Sequence, residues 1–259
     1  MKHFLINLDR SPHRLREMRA IFDAMGLSFQ RVGAVDAEIL SFEQRTECCT
    51  NDALSAGTVC CFLSHRLCWQ KLVESNEPYA AIFEDDIVFS TKAHSVLSDF
   101  SWLPESFDII RLETYLRRTA IEKQSIAEIS GYRLHRLKAD HVGTGGYIVS
   151  RECARRLLDK SRTFTVSVDH FLFRSGKGPF TELKVLQFFP ALCIQQQFVS
   201  KDAPSSQITH EKKKKPQGIA KLKRELSRPF QKLAYLIKAT FMNLFSNQRL
   251  GRVPFYPEV

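Results

Sequence analysis

Three features of the chain predict an α/β fold. Short apolar runs of strand length alternate with segments of helical periodicity. Helical segments open on serine, as at Ser11-Pro12 and Ser150. Polar or breaking residues end the apolar runs: Glu84-Asp85-Asp86 follows Tyr79–Phe83, and Pro190 follows Lys184–Phe189. There is no internal repeat. At 259 residues the chain suits one large domain, or one domain with an extension.

The first strand is expected over His3–Leu8. Ser11-Pro12 then starts a helix in which Leu15, Met18, Ile21, Phe22 and Met25 recur at helical spacing, and Gly26 stops it. Phe29–Val35 reads as a second strand, and Thr58–Ser75 as a second helix with Val59, Phe62, Leu63, Leu67 and Leu72 among its apolar positions. Tyr79–Phe83 and Phe107–Leu112 follow as strands. Gly143-Thr144-Gly145-Gly146 leads into a strand at Tyr147–Val149, and Ser150 opens a helix through about Lys160. Lys184–Phe189 is the last strand of the body.

The three consecutive acids after Phe83 are the most informative local feature. Side chains 84 and 86 point the same way on an extended chain, so two carboxylates converge at a strand end in apolar surroundings. Like charges repel there and desolvation penalises both ionised forms. A hard divalent cation, Mg²⁺ or Mn²⁺, relieves both penalties and bridges carboxylates to substrate phosphates. The plain alternative is a solvated acidic turn.

Charge divides the chain. Residues 212–252 hold twelve lysines and arginines and one acid, Glu225, while the remainder is nearly neutral. Residues 203–218 read as a linker by composition, with four consecutive lysines. Beyond it, Phe230, Leu233, Ala234, Ile237, Phe241, Leu244 and Phe245 share one helical face with basic flanks. The domain division expected is therefore a catalytic domain at 1–204 and a basic amphipathic helical extension at 205–259. The bulky apolar stripe suits an anionic membrane surface better than nucleic acid, and no nucleic-acid partner is expected. Packing on the body or a homo-oligomer contact is the other use of such a stripe.

The seven cysteines fit neither zinc-finger spacing nor a disulfide framework, and the N-terminus lacks a signal-peptide apolar core. Buried free thiols in a reducing cytosol are expected. No run approaches the ~18–20 apolar residues of a membrane-spanning helix.

Six blocks stand in the order seen in glycosyltransferase family 25. They are Ile6-Asn7-Leu8-Asp9-Arg10 with Arg14; Ala34-Val35-Asp36; Gly57-Thr58-Val59-Cys60-Cys61-Phe62-Leu63-Ser64-His65; Phe83-Glu84-Asp85-Asp86; Gly143-Thr144-Gly145-Gly146-Tyr147; and Val168-Asp169. The chain resembles this family, the bacterial lipooligosaccharide galactosyltransferases and their collagen-modifying relatives, over about residues 2–200. The resemblance implies a GT-A-type, Rossmann-like fold that binds a nucleotide-sugar. It implies Mn²⁺ or Mg²⁺ on the acidic motif, and a UDP-sugar donor, most often UDP-galactose, used with inversion. Cys60 stands where the family usually has Gly, and Ala37 where Gly usually follows the Asp.

Roles follow from that reaction. Asp86 is the main expected metal ligand and Glu84 the second. Asp169 is the candidate general base, with an N-cap as its structural alternative, and Glu113 at a strand end is the reserve. Asn7, Asp9, Arg10 and Arg14 follow the first strand, where open α/β sheets bind ligands, and either arginine would suit phosphate. Asp36 would accept from ribose hydroxyls. Ser64 and His65 are expected to orient or contact substrate, and Gly145 to let the backbone approach a ligand. The expected acceptor is lipooligosaccharide, presented at the inner face of the cytoplasmic membrane. UDP-glucose is the alternative donor. A non-enzymatic membrane adaptor and a nucleotidyltransferase or phosphatase are the competing classes, which release of UDP would separate.

Overall fold

The computed structural model describes residues 1–199, 229, 233–237 and 239–257. The linker 203–218, the lysine run, Phe230, Lys232 and Lys238 lie outside the described residues.

The elements, in chain order, are β1 (Lys2–Asn7), α1 (Pro12–Ala24), β2 (Gln30–Gly33), α2 (Phe42–Cys48), α3 (Ala56–Glu74), β3 (Tyr79–Glu84), β4 (Ile87–Phe89), α4 (Ala93–Leu97), β5 (Ile109–Arg111), β6 (Glu113–Thr114), β7 (Arg118–Ile129), β8 (Tyr132–Leu137), β9 (Gly146–Ser150), α5 (Arg151–Lys160), α6 (Val168–Phe173), β10 (Val185–Phe189), β11 (Cys193–Gln195) and β12 (Gln248–Arg252). Among the described residues nine strands form one mixed sheet, ordered β12-β7-β8-β10-β5-β9-β3-β1-β2, and β4-β11-β6 form a small second sheet. The strands β2, β1 and β3 are parallel, so their carboxyl ends open on the same side.

Alternation along the central strands sends side chains to two apolar layers. Phe4, Ile82, Tyr147 and Val149 face a layer built by Val59, Phe62, Trp69 and Leu72 of α3 and Leu157 of α5. Leu5, Ala81, Phe83 and Ile148 face the other, with Met18 and Phe22 of α1 and Val96 and Leu97 of α4. The α/β expectation holds, as helices on both faces of a mixed sheet.

Serine caps set the helix starts. Ser55 accepts from Thr58 N and Ser150 from Cys153 N. Gly26, at φ +63°, ends α1 where a Cβ would be strained. The strand expected over Phe107–Leu112 is shorter, because the chain leaves the large sheet after Arg111 and enters the small one at Glu113.

Two features went unread. The β7–β8 hairpin turns through Ser130 and Gly131, both at positive φ, as a two-residue loop requires. Its exposed, polar middle, Lys123-Gln124-Ser125, hid the strand alternation. The second feature is the return of the chain at its C-terminal end. β12 pairs with β7, Pro254 O accepts from Ala191 N at 2.8 Å, and Val253 O accepts from Thr114 Oγ1 at 2.7 Å. Residues 248–257, assigned by composition to the extension, thus sit on the body. Before them, residues 233–237 and 239–245 are helical. Ile237, Phe241, Leu244 and Phe245 there are exposed. Among the described residues no helix is long and apolar enough to cross a membrane.

Candidate active site

Two pockets adjoin at the carboxyl ends of β1–β3. The first lies between β1, the exit of β2 and the start of α3, and is lined by Asn7, Arg10, Arg14, Val35, Cys60 and Ser64 among others. The second lies between the 143–144 loop and the start of α6, and its lining includes Thr58, Tyr115, Thr144, Asp169, Gln195 and Gln197. Cys61, Glu84 and Asp86 belong to both.

The three acids have three different environments. Glu84 ends β3. Its Oε1 accepts from Thr144 Oγ1 at 2.8 Å and lies 3.2 Å from His65 Nε2. His65 is fully buried, and its Nδ1 is 2.9 Å from the Tyr147 hydroxyl, which also accepts from Trp69 Nε1 at 2.9 Å. We assign the proton to Nε2, where it donates to Glu84, with Tyr147 donating to Nδ1. This assignment gives each of these three groups a partner. Asp85 is braced from below. Asn7 Nδ2 donates to it at 2.6 Å and Arg14 Nη1 at 3.0 Å. Asp86 has no such support. Its Oδ1 is buried and unpartnered among the described residues. Burial, and then the Glu84 carboxylate, push its carboxyl up to about 7.

A cation would give that orphaned oxygen a partner. Asp86 and Glu84 offer hard oxygen donors where an added positive charge would satisfy both.

Asp169 is the second residue of α6, and Ser167 rather than Asp169 is the N-cap. Its Oδ1 accepts from Ser167 Oγ at 2.5 Å and from His170 N at 2.8 Å, and Oδ2 accepts from Gly143 N at 3.3 Å. It faces the second pocket. Glu113 is buried beneath the glycine loop and lines neither pocket. Its Oε2 accepts from Gly145 N at 2.8 Å, and burial raises its carboxyl well above the usual carboxylate range, opposed by Arg111.

The glycines are bare because Glu113 is there. A Cβ on Gly143 would lie 2.7 Å from Glu113 Oε2, at φ +89°, and one on Gly145 would lie 2.9 Å from Oε1. Gly143→Ala is expected to cost ~1–3 kcal/mol of stability from backbone strain and contact. Urea denaturation measures it, and a variant as stable as the parent would mean that the loop can lift off Glu113.

The remaining candidates divide. Arg10 Nε pairs with Asp36 at 2.9 Å and its Nη1 with Glu38 at 2.5 Å, at the rim of the first pocket. Arg14 Nη1 pairs with Asp85 Oδ1 at 3.0 Å, while its Nε has no partner among the described residues. Ser64 Oγ donates to Cys60 O at 2.7 Å and accepts from Val35 N at 2.9 Å, tying α3 to the exit of β2. Asp9, paired with Arg31, and Asp36 face a neighbouring larger cavity of about 680 Å³.

Arg111 was not among the sequence candidates. It is buried, donates to Gln187 Oε1, Gly143 O and Val142 O, and sits 4.2 Å from the Phe173 ring centroid. Burial lowers it to about 10. Its signal was an arginine inside the apolar run Ile109-Ile110-Arg111-Leu112. Tyr115, Gln195 and Gln197 of the second pocket carried no local signal.

Two joined pockets over unneutralised acids suit group transfer between two bound substrates, and comparison with known proteins gives the class as glycosyltransferase. Residues 1–172 match the family described as glycosyltransferase family 25 (LPS biosynthesis protein), and the chain belongs to that family. The lacto-N-neotetraose biosynthesis glycosyltransferase LgtB of Neisseria gonorrhoeae is 29% identical over 232 residues, covering 82% of each chain. LgtE of Neisseria meningitidis serogroup B is 28% identical over 223 residues, covering 78% of each. The lipooligosaccharide biosynthesis protein lex-1 of Haemophilus influenzae is 34% identical over 189 residues, covering 68% of this chain and 62% of its own. Among solved structures, an inositol-1-phosphate CTP transferase from T. maritima overlaps with TM-score 0.38 and 16% identity, covering 75% of this chain and 70% of that chain.

Proposed function

We propose that this glycosyltransferase moves a hexose, galactose from UDP-galactose, with inversion, onto a saccharide acceptor of lipooligosaccharide or lipopolysaccharide. The single observation that carries the reading is the shared wall of Cys61, Glu84 and Asp86 between two pockets. A donor in the first and an acceptor in the second would meet there. The relatives named for lipooligosaccharide and lacto-N-neotetraose biosynthesis support the acceptor class. The parallel strands that open on the first pocket support a GT-A-type reading of the sheet.

Asp86 and Glu84 would hold Mn²⁺ or Mg²⁺, which supplies Lewis-acid stabilisation of a leaving diphosphate when bound. His65 and Thr144 fix the Glu84 carboxylate. Asp169 takes the acceptor hydroxyl's proton, held for that task by Ser167, His170 and Gly143. Arg10 at the rim of the first pocket, paired with Asp36 and Glu38, is the cation offered to the donor phosphates. The buried Arg111–Glu113 pair sets the shape of the loop between the pockets.

The test is a donor screen with defined lipooligosaccharide acceptors and UDP release as readout. UDP-galactose is expected to turn over fastest. Faster turnover of UDP-glucose would change the donor. No UDP release from either donor, with any acceptor, would overturn the proposal.

We further propose that the exposed apolar residues of 233–245 and the basic stretch around them seat the enzyme on the inner face of the cytoplasmic membrane. Each lysine near an anionic surface contributes roughly 1 kcal/mol, and the apolar side chains add burial. Because residues 248–252 pair in the sheet and 253–257 are hydrogen-bonded to the body, substitution is a cleaner probe than truncation. The triple variant Ile237→Asp, Phe241→Asp, Leu244→Asp is expected to stop co-sedimenting with anionic vesicles while still using a free saccharide acceptor. High salt should weaken parental binding by screening. Equal sedimentation of parent and variant would instead assign the stripe to a protein contact.

A further inference from the structure

We propose that Cys61, His65 and Glu84 form a binding site for a soft divalent cation, Zn²⁺ foremost, and that its occupation blocks the enzyme. The blocking half rests on the transferase reading above; the binding half does not.

Cys61 and His65 are four residues apart on α3 and therefore share a face. Glu84 faces them from the end of β3. The sulfur, an imidazole nitrogen and a carboxylate oxygen lie within 4.8 Å of one another. Thiolate, imidazole and carboxylate together are a donor set for zinc, whereas Mg²⁺ and Mn²⁺ favour oxygen alone. The surroundings are built as metal sites are built. The Tyr147 hydroxyl holds the far nitrogen of His65, and Trp69 holds Tyr147. Thr144 holds the Glu84 carboxylate. Outer partners of this kind fix ring orientation and carboxylate direction. Because Cys61 and Glu84 line both pockets, the cluster is reachable from them.

Binding needs two proton changes, and they balance. The imidazole proton moves from Nε2 to Nδ1 and donates to the Tyr147 hydroxyl oxygen, whose own proton turns away from the ring, so the ring stays neutral and Nε2 takes the metal. Cys61 releases its thiol proton to solvent as sulfur takes the metal. Glu84 is then withdrawn from its partnership with Asp86. A soft cation thus competes with a hard one for a single carboxylate.

Co²⁺ titration of the full-length, metal-free protein tests the site, because a thiolate ligand gives a sulfur-to-cobalt charge-transfer band. One equivalent should produce the band and Zn²⁺ should displace it. Cys61→Ser and Glu84→Gln should each remove or strongly weaken it, Tyr147→Phe should weaken binding ~10–100-fold, and Cys60→Ser should leave it. Circular dichroism confirms that each variant is folded. Absence of the band in the parent, or an unchanged band in folded Cys61→Ser or Glu84→Gln, would overturn the site. For the second half, Zn²⁺ should suppress UDP release at saturating Mn²⁺, and residual activity of Cys61→Ser should need at least tenfold more Zn²⁺ for the same suppression. Equal sensitivity of parent and variant, with the cobalt band present, would overturn inhibition through this site alone.

Discussion

Asp86→Asn is expected to lower turnover by about three orders of magnitude or more, since Lewis-acid stabilisation is worth several kcal/mol of barrier. The same change should stabilise the metal-free fold. Burial and the Glu84 carboxylate raise the Asp86 carboxyl to about 7 in the folded protein. In the unfolded chain it titrates near the ordinary ~3.9 of an aspartate. The fold therefore favours the protonated form. Stability in EDTA should be greatest below the unfolded value, fall as pH rises through the window up to about 7, and level off above it. Asparagine removes that slope and should gain on the order of 1–3 kcal/mol at pH 8 in EDTA. Urea denaturation of parent and variant at pH 5 and pH 8 measures the slope, and UDP release measures turnover. Full activity in the variant, or of the parent in EDTA, would end the cation reading.

Asp169→Asn should lower kcat by ~10²–10⁴-fold while UDP binding changes little, because proton removal matters in the transition state and not in donor binding. The substitution is mild for the fold. An amide oxygen can still accept from Ser167 Oγ and His170 N. A residue serving only to fix α6 and the Gly143 loop would instead show a loss of ~1 kcal/mol of stability and near-normal kcat. A folded variant with parental kcat would remove Asp169 from the chemistry. Glu113, which lines neither pocket, would not inherit the role without movement of the glycine loop.

The central strands were legible because they are buried on both faces, so Phe4 to Ile6 and Ala80 to Phe83 read as plain apolar runs. The long helix α3 was legible from apolar periodicity, though not its Ser55 cap, and its neighbour α5 from the opening Ser150. The edge of the sheet was not. The middle of β7 is polar, and β12 is a strand only because β7 offers it an edge. Within the site, local pattern located the acids but not their division of labour. Asp85 is a strut because Asn7 and Arg14, more than seventy residues away in sequence, reach it. Arg14 braces Asp85 and also lines the first pocket, where its position after a strand suggested a phosphate. Tyr115, Gln195 and Gln197 meet only when β6 and β11 pair, which no spacing within either segment reveals.

The pairing of β12 with β7, and the hold of Thr114 on Val253, change what the preceding segment is mechanically. Gln196–Phe198 and Gln248–Arg252 both lie on the body, so the chain between them is joined to it at both ends. A connection fastened at both ends is a handle, and one fastened at a single end is a leash. A leash lets its cargo swivel and drift through a wide volume, so local concentration falls with its length. A handle restricts both distance and heading. A surface gripping residues 239–245, two residues before β12, would meet the body from a restricted range of bearings, and would aim the enzyme as well as retain it.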